Sequence, residues 1–398
     1  MMNFRIRSLP GLNKSFALPV VEAQQLVSTA SPIPPPSSSK DTAAAAYTWI
    51  LNPTIDILFA CGGLIWVAYG FALLGIHPAT GAGVLAGCLW WATKFGTIVF
   101  SNAHQPATLW RVYLSPKTRK ACGTTVTLWG ILTIALYAAS IRIPGVVEIF
   151  LKVIIFWSIQ HTLAQAYGVS LIYCYKRRYF LNEFEKRTLL WMINSAIIFF
   201  IVRMCTFEEL GSGNFTGIPI NFWGPVPMWI YYLSATVFGA LVMLFAYNII
   251  EKYKRDKMFF PWPALANIAT GFSIYFSNVI SGMQADFGVF VAAYYHASQY
   301  MVVTSAYYLK ERGLPEGMPF SNISHALMTK AAFKYLAILV VVGWLLAQTL
   351  PRWLQALGVG PSAAIFAASF CALNFHHYFT DALIWKLKDP EVRKLLIS

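Results

Sequence analysis

Five histidines stand within apolar stretches of this sequence: His104, His161, His296, His376 and His377. A neutral imidazole there can hydrogen-bond, relay a proton or ligate a transition metal. Polar groups are expensive in such stretches, so each invites a functional role with a named partner. Each histidine has polar company: Ser101, Asn102 and Gln105 beside His104; Gln160, Thr162 and Gln165 beside His161. Tyr294, Tyr295, Ser298, Gln299 and Tyr300 surround His296, and Asn374, Tyr378, Thr380 and Asp381 surround the 376–377 pair. Positions i and i+4 share a helix face, which puts Asp381 beneath His377, Gln165 beneath His161 and Tyr300 beneath His296. A metal-bound imidazole commonly passes its other N–H to a carboxylate or carbonyl. Asp381 is placed for that role, or as a direct ligand.

The elements that must carry these residues are membrane helices. Of 398 residues, 57% are hydrophobic and only 12% charged, where a soluble chain carries about 25% charged. A helix needs about 20 apolar residues to cross the hydrocarbon core. Apolar runs at 54–75, 83–112, 122–142, 146–175, 188–204, 227–250, 261–281, 286–309, 332–350 and 362–385 predict an all-α transmembrane bundle of about ten spans. Lys and Arg concentrate in the N-terminal tail, in alternate connections (111–120, 176–187, 252–257, 310–330) and after 385. Arg142, Arg203 and Arg352 stand alone in the other connections. That alternation places both termini in the cytoplasm. It also accounts for the net charge of +14 without a nucleic-acid partner. Residues 1–46, with a Pro- and Ser-rich run at 32–39, read as a disordered basic tail of a composition shared with organelle transit peptides. Residues 47–398 read as one membrane domain. The six cysteines are scattered without C-x-x-C spacing and read as small buried hydrophobes. Gly83 and Gly87 form a GxxxG of the kind used for close helix packing.

The histidine-bearing spans are the second, fourth, eighth and tenth, which all run inward. His104 lies 7 residues before Arg111, His161 lies 15 before Lys176, His296 lies 14 before Lys310, and His376 lies 10 before Lys386. At the helical rise these are depths of roughly 10 to 22 Å from the cytoplasmic flank. Four helices therefore bring imidazole into the inner half of the membrane. Lys94, Lys152 and Asp286 lie 9 or 10 residues outward of His104, His161 and His296. They form an outer charge layer in which either Asp286 pairs with Lys94 or Lys152, or Lys152 and Asp286 sit near the outer interface and reach water.

With one histidine on each of three helices and the His376–His377 pair near Asp381, the chain resembles the histidine-motif membrane non-haem iron enzymes. These are the fatty-acid desaturases and hydroxylases and the Brp/Blh-type carotene oxygenases. The H-x-x-x-H and H-x-x-H-H boxes of desaturases are not reproduced. The resemblance implies ferrous iron, dioxygen, an electron donor and a substrate from the lipid phase such as an acyl lipid or isoprenoid. His104, His161, His296 and His376 or His377 would ligate iron. Asp381 would orient His377 or complete the shell, and Gln105, Gln165, Gln299 and Asn374 would support it. Tyr294, Tyr295 and Tyr300 would line the approach. Two other classes fit the same residues: a haem-bearing electron carrier with paired axial histidines, and a transporter or proton pathway using His, Asp and Lys.

Overall fold

A computed structural model describes residues 48–76, 83–215, 217–277, 292–312 and 323–397. The N-terminal tail, His77 and Asp286 lie outside the described residues. Apart from one small hairpin the described chain is helical. Helix α1 (Pro53–Ala60) opens at Asn52, whose side chain accepts from the Ile55 amide at 2.8 Å. Pro53 takes the first helical position, where its missing N–H costs nothing. The chain then passes Gly62 at φ +79°, a conformation that favours glycine. Helix α2 (Gly63–Leu73) leaves at 56° to α1.

The long helices come next: α3 (Val84–Leu114), α4 (Pro116–Arg142), α5 (Val146–Lys176), α6 (Glu183–Thr206) and α7 (Met228–Asp256). A capping box starts α6: Asn182 accepts from the Glu185 amide at 2.9 Å and the Glu185 carboxylate accepts from the Asn182 amide at 2.8 Å. That start makes α6 longer than the run of apolar residues at 188–204. Between α6 and α7, strands β1 (Ser212–Phe215) and β2 (Ile218–Asn221) pair antiparallel with Ser212 opposite Asn221, a hairpin too short to show in the apolar pattern. Then come α8 (Trp262–Ser277) and α9, a π turn over Ala292–Ala297 running into Ser298–Glu311. Helices α10 (Lys330–Ala356), α11 (Ser362–Ile384) and α12 (Pro390–Ile397) complete the fold.

Six of these helices (α3, α4, α5, α6, α7 and α10) are long and apolar enough to cross a membrane, and the bent α1–α2 pair makes seven if it is one span. The segments at 261–281, 286–309 and 362–385 are helical wherever they are described. They carry Asn267, His296, Gln299, His377 and Asp381. Helix α11 packs on α3, α4 and α5; α9 packs on α1 and α3; α8 packs on α5; and α10 packs on α3. The four histidine-bearing helices α3, α5, α9 and α11 thus surround one interior. Gly83 and Gly87 do not serve as a close-packing pair, since among the described residues nothing lies within 4 Å of a Cβ built on either. The close approach occurs elsewhere. Pro106 inside α3 has no N–H for the Asn102 carbonyl, and Gly343 of α10 seats directly on that carbonyl, where a Cβ would collide.

Candidate metal centre

Two π turns aim two of the histidines. One spans Thr97–Ser101 just ahead of His104, and the other, Ala292–Ala297, contains His296. A π turn carries an extra residue and rotates the helix beyond it, and such turns gather at functional sites. His161 and His377 project from the uninterrupted helices α5 and α11.

The four imidazoles close a ring. Centroids are 5.2 Å apart for His104–His296, 4.9 Å for His296–His161, 5.0 Å for His161–His377 and 4.5 Å for His377–His104, with His296 and His377 6.0 Å apart across it. All four are buried. Asp381 lies against one edge, its Oδ2 3.5 Å from His377 Nε2 and 3.8 Å from His161 Nε2. Ligand atoms of His104, His296 and His377 all lie within 4.8 Å of one another, and so do those of His161, His377 and Asp381.

The placement of protons fixes what these nitrogens offer. His104 Nδ1 lies 2.6 Å from the Ser101 carbonyl; a carbonyl only accepts, so Nδ1 donates and Nε2 keeps its lone pair. The Nε2 atoms of His104, His161, His296 and His377 are all buried without a hydrogen-bond partner among the described residues, as is His296 Nδ1. A buried polar atom left unmatched costs about 1–3 kcal/mol, and buried groups are ordinarily paired. Imidazole nitrogens grouped in this way with a carboxylate are of the type that could hold a transition-metal ion.

Of the residues expected to support the site, Gln165 donates to the His296 carbonyl at 2.9 Å and to Gln299 Oε1 at 2.8 Å, tying α5 to α9. Gln299 is fully buried and donates to the Ala60 carbonyl and Asn267 Oδ1, both at 2.7 Å. Gln105 donates to Asn374 Oδ1 at 3.4 Å, linking α3 to α11 above the ring. The three tyrosines expected along an approach are buried with their hydroxyls engaged. Tyr300 bonds Asp381 at 3.0 Å, Tyr295 bonds the Asn267 side chain at 3.0 Å, and Tyr294 donates to the Ala92 carbonyl.

One expectation is corrected. His376 is not brought to the ring: it points about 100° away from His377 on the same helix, toward Gly130 of α4, whose Cβ position is 3.5 Å from His376 Nε2. The pairing expected of Asp286 with Lys94 or Lys152 falls on a residue outside those described, and the two lysines have partners of their own. Lys152 pairs with Glu148 of its own helix at 2.7 Å. Lys94 is exposed, its ammonium 5.2 Å from the Trp90 ring centroid. Asp286 lies outside the described residues.

Several functional residues are not evident from the sequence. Thr108 is one turn below His104 and contacts His377 Nδ1 at 2.7 Å, Asp381 Oδ1 at 3.0 Å and the Tyr300 hydroxyl at 2.7 Å. Trp385, one turn after Asp381, donates to the Tyr300 hydroxyl at 3.1 Å. Arg111, whose place in a basic connection suggests a topology charge, is buried between Tyr307 and Trp385, 3.9 and 3.7 Å from their ring centroids, and donates to the Ile384 carbonyl at 2.8 Å. Asn267 of α8 is buried and donates to the Ala166 carbonyl at 2.6 Å and to Ser170 at 2.7 Å. Asp56, near a helix start where an acid complements the dipole, is buried and accepts from the Ile50 and Leu51 amides and the Tyr173 hydroxyl. Thr108, Arg111 and Trp385 sit at i+4 or i+7 from predicted residues, so the face rule could have found them.

Neither protein-family models nor curated proteins nor solved structures give a match to this chain.

Proposed function

We propose that this chain is an integral membrane metal enzyme of ten spans with both termini cytoplasmic, an iron-dependent oxidoreductase acting on an apolar substrate of the lipid phase. The observation that carries the reading is a pair of triads sharing His377, one of His104, His296 and His377 and one of His161, His377 and Asp381, with the Nε2 atom of each histidine buried and without a hydrogen-bond partner among the described residues. Imidazole with a carboxylate suits iron among the transition metals, and helix bundles build metal sites from side chains on facing helices. When bound there, iron would supply the dioxygen chemistry.

The donors serve one ion. Both triads include His377, its Nδ1 is engaged with Thr108, and the single lone pair on Nε2 can be given once. The close ring of imidazoles favours a directly ligated ion over haem, because a porphyrin needs open space around its axial nitrogens. The chain's own residues shape the rest. Thr108 and Tyr300 hold Asp381 through Oδ1, leaving Oδ2 toward the ring. Tyr378 stacks on His161 with centroids 4.2 Å apart, and Trp157, Phe375, Trp129 and Phe379 extend that aromatic surface toward α4. Such a surface suits an acyl or isoprenoid chain, and the surrounding helices exclude water.

The test is dioxygen uptake by the protein reconstituted in liposomes with ferrous iron, a chemical reductant and a panel of acyl lipids and carotenoids. Uptake matched to an oxidised product, and lost in His296→Gln, supports the reading. Solute flux across the liposomes without uptake would move the case to a transporter.

A further inference from the structure

We infer that Thr108 is a positioning residue that sets the tautomer of His377. The inference rests on the metal reading for its consequence, a nitrogen kept open for the ion, but the tautomer itself is measurable without metal.

The Thr108 hydroxyl carries one proton and meets three groups: His377 Nδ1 at 2.7 Å, the Tyr300 hydroxyl at 2.7 Å and Asp381 Oδ1 at 3.0 Å. The proton can go to Asp381, to Tyr300 or to His377 Nδ1; donation to Tyr300 leaves the Thr108 oxygen accepting from His377 Nδ1–H as donation to Asp381 does, so two cases remain for the tautomer. In the first, Thr108 donates to Asp381. Its oxygen then accepts from His377 Nδ1–H, and Nε2 is left with a lone pair facing the ring. In the second, Thr108 donates to His377 Nδ1. The Thr108–Asp381 contact then sets a hydroxyl lone pair against a carboxylate oxygen. The proton of His377 must also sit on Nε2, aimed at Asp381 Oδ2 3.5 Å away.

The first assignment is the stronger. A carboxylate is the best acceptor present and charge-assisted bonds are about twice as strong as neutral ones. Tyr300 fits it without conflict: its oxygen accepts from Trp385 Nε1–H at 3.1 Å while its proton serves Thr108 or Asp381. Asp381 therefore governs His377 through Thr108, and the carboxylate is kept from capturing the Nε2 proton directly. His104 reaches the same state by another route, through the Ser101 carbonyl. Fixing the tautomer through the second ring nitrogen is what outer partners of metal-bound histidines do, and their loss typically costs 10–100-fold in metal affinity.

The experiment uses full-length protein labelled with 15N-histidine, metal-free, in mild detergent at a pH where His377 is neutral. Long-range 15N–1H spectra read the tautomer, with His377 assigned by the signal lost in His377→Gln. Zinc, which has no redox chemistry, is the probe for affinity. The wild type is expected to show His377 protonated on Nδ1 and bare on Nε2. Thr108→Val, matched in shape but without a hydroxyl, is expected to move the proton to Nε2 and weaken zinc binding about 10–100-fold. Thr108→Ser is expected to restore both. A wild-type His377 protonated on Nε2 overturns the inference, as does Thr108→Val with tautomer and zinc affinity unchanged. If Thr108→Val fails to fold, the wild-type and Thr108→Ser spectra decide. The expected tautomer without zinc affinity in the wild type upholds Thr108 and overturns the metal reading alone.

Discussion

His377 and Asp381 stand one turn apart on α11 with Nε2 and Oδ2 3.5 Å from each other, and among the described residues His377 Nε2 has no hydrogen-bond partner. With His377 protonated on Nδ1, this places a nitrogen lone pair against a carboxylate oxygen in a dry interior. Two acceptors in that relation are stable together when a cation lies between them. His104, His161 and His296 close the same space from three other helices.

Each ring histidine should matter singly, and their neighbour should not. His161→Gln and His296→Gln are expected to weaken iron binding by more than the about 10–100-fold typical of losing an outer partner. His376→Gln, which alters a residue facing α4, is expected to leave affinity unchanged. Metal titration of the three purified variants checks this. Equal losses in all three would mean that the ring does not hold the ion.

The contact between α10 and α3 has no slack. Gly343→Ala pushes a methyl into the Asn102 carbonyl, a backbone atom that cannot swing aside. A destabilisation of about 1–3 kcal/mol is expected, as for overpacking elsewhere. Gly87→Ala, with nothing within 4 Å, is expected to be neutral or slightly stabilising. Thermal unfolding in one detergent compares the two, and a larger loss at Gly87 would contradict the packing described.

Arg111→Lys should not be conservative. The guanidinium sits 3.9 and 3.7 Å from the ring centroids of Tyr307 and Trp385 and donates to the Ile384 carbonyl. A lysine ammonium is a compact point charge and cannot serve both rings and the carbonyl together. A desolvated cation–π contact contributes about 2 kcal/mol, so unfolding should occur at clearly lower temperature. An unchanged midpoint would mean that the stack carries no stability.

The reach of the sequence depends on which physical quantity each residue type reports. Runs of about 20 apolar residues mark helices, and helices occur at all ten segments wherever these are described. Counting along those helices places His104, His161, His296 and His376 at similar depths, and the structure brings the first three together with His377 instead. Counting cannot give rotation, so His376 and His377 are indistinguishable until α4 is seen to take the first. Counts also fail across π turns. The extra residue at Thr97–Ser101 lies between Lys94 and His104, so ten residues there do not correspond to the rise expected of a regular helix. The pairing of Lys152 with Glu148 is legible as an i, i+4 pair, although the depth argument looks for its partner on another helix. Thr108 carries no charge and no metal-ligand chemistry, so nothing in its type sets it apart from the other threonines. Its role exists only where α3, α9 and α11 meet.

The central claim is that the four-histidine ring with Asp381 binds one transition-metal ion. It is tested most directly by elemental analysis of the protein purified in mild detergent, with an absorption spectrum of the same sample. About one iron per chain without a Soret band, falling to background in His161→Gln, is the predicted result. A Soret band would replace the ion with haem, and a colourless protein that takes up no metal when iron, zinc and copper are supplied would contradict the account.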